Sequence, residues 1–259
     1  ERDLGRQGDA LVSLRRALAL APRHGPAWCA LGLALLGERL TEKAVETLAR
    51  AVVLDPALSR AWYYLGAGLV DLRRFREASE AFSNCLALDP GNPSAWYYRG
   101  FVLNRLGRHR KAIESLDRAL SLDPENAKAL LEKGRAQMEG LRYGEALETL
   151  DRFIALEPEE GEAWYRKGAI LALLGIHEEA IEHLVTALRF DPSCRPALLR
   201  AALSYLELGR NGEAVESLDR VVNLDPSDPG PWLYRGIVLA RPAPPPAPAA
   251  AYCDAHRPA

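Results

Sequence analysis

The side chains best suited to chemistry are scattered. Cys29, Cys85, Cys194 and Cys253 lie far apart, without metal spacing or pairing, so they read as separate reduced thiols of a cytoplasmic protein. The run His177-Glu178-Glu179-Ala180-Ile181-Glu182-His183 approaches a zinc-protease helix. Two histidines bind one metal from a helix face when they stand about four residues apart, and here the second ring is turned to a different face. No metal is expected. No glycine-rich phosphate loop follows a strand, and nothing organises a nucleophile, a base and an oxyanion donor. Neither a catalytic residue nor a cofactor is expected, and the chain is read as no enzyme. Binding chemistry remains. Tyr63, Tyr64, Tyr97, Tyr98, Phe101 and Tyr165 offer large, low-entropy apolar contacts, and Arg135, Arg166 and Arg200 offer charge for acidic partners.

The elements that position these residues are copies of one unit. Trp28, Trp62, Trp96, Trp164 and Trp232 are separated only by multiples of 34 residues. Pro22, Pro56, Pro90, Pro124, Pro158, Pro192 and Pro226 keep the same step, as do Ala10, Ala44, Ala78, Ala112, Ala146, Ala180 and Ala214. A fixed period of this length marks a supersecondary unit that cannot bury its own apolar face and must stack on its neighbours. From Ala61 to Leu72 the residues Trp62, Leu65 and Leu69 recur at helical spacing, and from Ala78 to Leu88 so do Ala78, Phe82, Cys85 and Leu86. Each unit is therefore expected to be two antiparallel helices. Gly66 and Ala78 let the pair approach closely. Pro90 ends the second helix, and Asn92 with Pro93 reads as an N-cap followed by proline at the first helical position. Gly107, Gly175 and Gly209 mark turns.

In the unit from Gly25 to Leu58, the order Trp28, Leu31, Gly32, Leu35, Ala44, Leu48, Ala51, Pro56 resembles the tetratricopeptide repeat. The likeness recurs in 59–92, 93–126, 127–160, 161–194 and 195–228, with half repeats at 1–24 and 229–240. It covers about nine tenths of the chain. Departures are few: Leu130 and Leu198 replace tryptophan, Ala202 replaces glycine, and Cys85, Phe153 and Val221 replace the second small alanine. The resemblance implies an all-α solenoid, a right-handed superhelix of helix pairs spanning 1–240. The tail 241–259, RPAPPPAPAAAYCDAHRPA, breaks the pattern and is expected to be extended or disordered, or foreign to the array.

In tetratricopeptide proteins the first helix of each unit lines a concave groove, which the resemblance places at the second, fifth, sixth, ninth, twelfth and thirteenth positions. The fifth and sixth positions supply Tyr63 and Tyr64, Tyr97 and Tyr98, Leu131 and Glu132, Tyr165 and Arg166, Leu199 and Arg200. The ninth adds Phe101 and Arg135. Each has a plainer reading beside it: the fifth-position tyrosines can pack between helices, and the arginines can pair with Glu132, Glu139, Glu162 or Glu207 as a solvated network. The clamp by which some members grip acidic C-terminal peptides of chaperones is absent, since Asn104 is the only asparagine in these first helices.

The resemblance thus implies a scaffold that holds a peptide or partner segment in its groove. The alternative is the substrate-recruiting arm of a larger enzyme, as in the family's sugar transferases, although the asparagine-lined groove of those arms is missing. An RNA-binding helical repeat would have a period nearer 35 and a basic groove. With 33 basic and 35 acidic side chains the net charge is −2, which gives no drive toward nucleic acid or an anionic membrane. No apolar run reaches the 18 or so residues that cross a bilayer. Weak end-to-end self-association is expected, because Ile237 and Leu239 lack a covering helix in the half repeat.

Overall fold

The structure is a computed structural model that describes the backbone of residues 2–240 and side-chain surroundings from Asp9 onward. The tail read as extended, with Cys253, lies outside the described residues. Fourteen helices and no strand occur among them. A long α1 (Arg2–Leu20) is followed by the pairs α2 (Gly25–Gly37) and α3 (Thr41–Leu54), α4 (Ser59–Asp71) and α5 (Phe75–Leu88), α6 (Pro93–Arg105) and α7 (His109–Leu122), and α8 (Ala127–Glu139) and α9 (Tyr143–Leu156). Then come α10 (Gly161–Leu173) and α11 (His177–Phe190), α12 (Arg195–Glu207) and α13 (Asn211–Leu224), and α14 (Pro229–Ala240). These fall into two compact units, Glu1–Glu159 and Glu160–Ala259.

Within each unit every helix packs on the next. First helices also touch one another: α2 meets α4, α4 meets α6 and α6 meets α8 in unit 1, and α10 meets α12 in unit 2. The second helices of unit 1 make no comparable contacts among themselves. The first helices of unit 1 therefore form the inner side of its stack.

The closeness within a pair comes from a small residue facing a large one. A Cβ added at Gly32 would stand 2.5 Å from Leu48, at Gly66 2.8 Å from the Phe82 ring, at Gly100 2.5 Å from Leu116, and at Gly168 2.7 Å from Leu184. Those are distances that real Cβ atoms do not keep, so the side chain of the second helix occupies the space glycine leaves. Ala44, Ala78, Ala112, Ala146, Ala180 and Ala214 are fully buried, and any larger residue there would push the helices apart.

Two turns alternate along the chain. Between first and second helices one residue takes a left-handed conformation. Gly107, Gly175 and Gly209 do so at φ of 69°, 78° and 71°, and Arg39, Arg73 and Leu141 adopt it without glycine's freedom. Between successive pairs an aspartate folds back: Asp55, Asp89, Asp191 and Asp225 each accept from the amide two residues on. At the following helix, Asn92 caps Ala95 at 2.9 Å and Asn126 caps Ala129 at 3.0 Å, while His24 Nδ1 performs the same service for Ala27.

The shared period of tryptophan and proline has a direct cause. The indole Nε1 of Trp28, Trp62 and Trp96 donates to the carbonyl of Pro22, Pro56 and Pro90, each at 2.9 Å, and Trp232 does so to Pro226 at 3.2 Å. In these four repeats the ring ties the first helix to the turn before it. Trp62→Phe keeps the aromatic body and deletes this bond, so it is expected to cost about 1 kcal/mol of stability. Urea unfolding checks the value, and an unchanged midpoint would leave the bond without a stabilising role.

Candidate functional site

Six rings in unit 1 form a connected cluster that starts in the core and ends on the inner face. Phe82 of α5 is fully buried. Tyr98 of α6 stacks on it, with centroids 5.6 Å apart and an interplanar angle of 6°. Tyr63 of α4 meets Phe82 edge-on at 6.0 Å and Tyr98 at 6.0 Å. Tyr64 extends the cluster one way, 5.1 Å from Tyr63, and Tyr97 the other, 5.0 Å from Tyr98 and 6.5 Å from Phe101. Edge and offset contacts of this kind stabilise beyond the area they bury. They also fix the ring positions before any partner arrives. Tyr98 is half-buried, and the face stacked on Phe82 packs against the core.

Burial is the main reason that the Tyr63 and Tyr97 phenols are hard to ionise. Tyr97 is pushed up to about 12, first by desolvation and next by the Glu132 carboxylate, and the Tyr63 phenol is raised by burial and then by Tyr98. Both remain neutral donors at physiological pH. Two cations lie on the edges of the cluster: the Arg60 guanidinium 5.6 Å from the Tyr64 ring, and that of Arg105 4.7 Å from Phe101. Beside Arg60, between α2 and α4, is an open hollow of about 390 Å³ lined by Pro26, Cys29, Ala30, Leu33, Leu58 and Arg60.

The sequence offers Glu132 as a partner for an arginine, and the structure joins it to Asn104 beside Tyr97. Glu132 of α8 is only 8% exposed and accepts from Asn104 Nδ2 of α6 at 2.8 Å. Asn104 Oδ1 is 2.7 Å from His109 Nδ1, which stands 3.5 Å from Glu139, and Glu139 in turn accepts from Arg135 Nε at 3.0 Å. A signal for this existed. The twelfth position is apolar in every unit except at Asn104, and Glu132 is the only acid at a sixth position.

The arginines are largely engaged. Arg135 pairs with Glu139 one turn on, and Arg166 of α10 donates to Glu162 one turn back at 3.0 Å through Nε. Arg200 of α12 is half-buried and has no ion pair among the described residues. Tyr165 is half-buried on α10. These last residues belong to unit 2, and Tyr63, Tyr64, Tyr97, Tyr98, Phe101 and Arg135 to unit 1.

Other candidates for chemistry are occupied structurally. Burial raises the thiols of Cys29 and Cys194, and carries that of Cys85 to about 11, so none of the three supplies a thiolate at neutral pH. All three are free of disulfides. His183 stacks on Trp164 at 5.5 Å. Among the described residues no group of three or more His, Cys, Asp or Glu is placed to hold a metal, and no helix is long and apolar enough to cross a membrane.

Helix pairs of this length, with this order of large, small and proline positions, define a helical repeat protein. The chain belongs to the tetratricopeptide repeat family: family profiles of that description match residues 1–59, 63–127, 102–148, 131–194 and 196–228. No curated protein matches the sequence significantly. Among solved structures the chain is similar to YrrB, described as a TPR protein with an unusual peptide-binding site, at 24% identity and a TM-score of 0.66, covering 71% of this chain and 95% of that one. It is similar to MamA at 26% identity and a TM-score of 0.60, over 65% and 92% of the two chains. PilF of Pseudomonas aeruginosa matches at 19% identity and a TM-score of 0.66, over 84% and 97%. Family membership supports a role as a protein-interaction scaffold.

Proposed function

We propose that this protein is a non-enzymatic scaffold that binds a peptide or extended partner segment on the inner face of unit 1, with Tyr64, Tyr97, Tyr98 and Phe101 as apolar anchors. The observation that carries this reading is the connected ring cluster, in which a buried Phe82 holds exposed-edge tyrosines in place across α4 and α6. Rigid aromatic anchors that need little ordering on association are what binding hot spots use. YrrB, similar in fold, is described as having a peptide-binding site, which agrees with a peptide as the class of partner. In unit 2 the same positions give Tyr165, Arg166 and Arg200, and Arg200 is the arginine left to meet an acidic residue of a partner.

Tyr64 is the residue to test, because it has no contact with Phe82 comparable to that of Tyr98. Peptides selected from a random heptapeptide library on the intact chain are expected to bind Tyr64→Ala about 30-fold more weakly, corresponding to about 2 kcal/mol for a hot-spot ring. Circular dichroism should show an unchanged helix content. Affinity unchanged from that of the unaltered chain in both Tyr64→Ala and a Tyr64→Ala, Tyr97→Ala double variant would remove the inner face as the binding surface.

A further inference from the structure

The Glu132 carboxylate stands out among the acidic side chains. At 8% exposure it is more than nine-tenths buried, whereas the acids engaged in ion pairs lie at the surface or half in it. It has one hydrogen bond, from Asn104 Nδ2 to Oε1. No lysine, arginine or histidine lies within ion-pair distance among the described residues, although the chain supplies 33 basic side chains and spends many of them on ordinary surface pairs. The second oxygen of Glu132 is not one of the fully buried unpartnered atoms, so the residual 8% exposure leaves it open to a donor from outside the helix stack.

The surroundings define what is missing. Glu132 occupies the inner face of α8, and the neighbouring inner-face residue on α6 is Tyr97, close enough for the carboxylate to act on its phenol. Asn104 is held from behind by His109, which keeps its amide pointed at Glu132 and leaves the other carboxylate oxygen unengaged. A fixed carboxylate near a phenol ring suits a cation with an aliphatic stem. It repels a carboxylate.

We infer that Glu132 and Tyr97 form a subsite for a basic side chain, the ammonium of lysine or the guanidinium of arginine, carried by a peptide lying on the inner face of unit 1. The inference rests on the proposed peptide-binding role and deepens it: the aromatic cluster supplies apolar anchorage, and Glu132 sets the charge of the residue next to it. The charge preference is opposite to that of an arginine-lined groove. Arg135, one turn along α8, is turned to Glu139 and does not oppose an incoming cation with an uncompensated charge.

The test uses random heptapeptides displayed on phage and selected on the intact chain. Lysine or arginine should be enriched at one position beside apolar or aromatic residues. In the synthetic peptide, changing that residue to glutamine should weaken binding about 30-fold, as expected when one partner of a desolvated charge pair is removed. Glu132→Gln, which still accepts from Asn104, should weaken the original peptide by a similar factor and add little to the loss for the glutamine peptide. The side-chain amide signals of Asn104 should shift in ¹⁵N spectra on adding the basic peptide and not the glutamine one, a measurement that needs no variant. Selected peptides without a basic position, or unchanged binding to Glu132→Gln, would overturn the cation subsite and leave the aromatic surface standing. Failure to select any peptide would overturn both readings.

Discussion

Phe82→Ala is expected to destabilise the protein by about 3–5 kcal/mol, the usual range for deleting a large buried aromatic. The ring is fully buried and fills the space left by Gly66, whose added Cβ would come within 2.8 Å of it. Removal leaves a void that α4 and α5 cannot close without shifting the backbone, so both the transfer and the cavity contribution apply. A second effect separates this site from any other core position. Tyr98 stacks on one side of Phe82 and Tyr63 meets its edge, so the inner-face rings lose their support. Hydrogen exchange should accelerate most in α4, α5 and α6 and least in α1, because a repeat contacts only its neighbours. Peptide affinity should fall as well, even in conditions where the chain remains folded. Uniform loss of protection along the chain would refute the locality, and preserved affinity would show that the cluster does not position the anchors.

The fold was legible because its causes are local and repeated. Tryptophan, glycine, alanine and proline at constant spacing define helix, close approach and turn, and each recurs often enough to outweigh single departures such as Leu130 or Ala202. The link between Trp62 and the Pro56 carbonyl was hidden, since two residues that share a period need not share a bond. The site was less legible for a physical reason. Whether a side chain is free depends on its neighbours in other repeats: Glu132 meets Asn104 across 28 residues, and Tyr98 of α6 meets Phe82 of α5. Arg135 and Arg166 illustrate the reverse case. Their partners Glu139 and Glu162 are one turn away on the same helix, a spacing open to inspection in the sequence. What the sequence left undecided was whether a ligand or the helix itself would use them, and the geometry pairs both within the helix.

The glycine positions carry the second large expectation. Leu116 of α7 is fully buried, and its Cγ lies 2.5 Å from where a Cβ on Gly100 of α6 would stand. Leu116→Ala should cost about 2–5 kcal/mol through lost burial and the cavity that remains. Gly100→Ala by itself brings two opposed effects. Alanine favours a helix over glycine by about 1 kcal/mol, but the new methyl overlaps Leu116 and approaches the Ala112 carbonyl at 3.2 Å, and overpacking of this kind costs about 1–3 kcal/mol. The overlap is expected to win, because the nearest atom is a branch carbon of a fully buried side chain and cannot swing aside. Combined, the two substitutions should compensate: with Leu116 shortened, the Gly100→Ala methyl enters the space its removal creates, and helix propensity is recovered. The double variant should therefore be more stable than the sum of the singles by about 1–3 kcal/mol, a coupling readable from a urea double-mutant cycle. Strict additivity would mean that α6 and α7 relax independently, and the close approach set by glycine would then not be what holds the pair together.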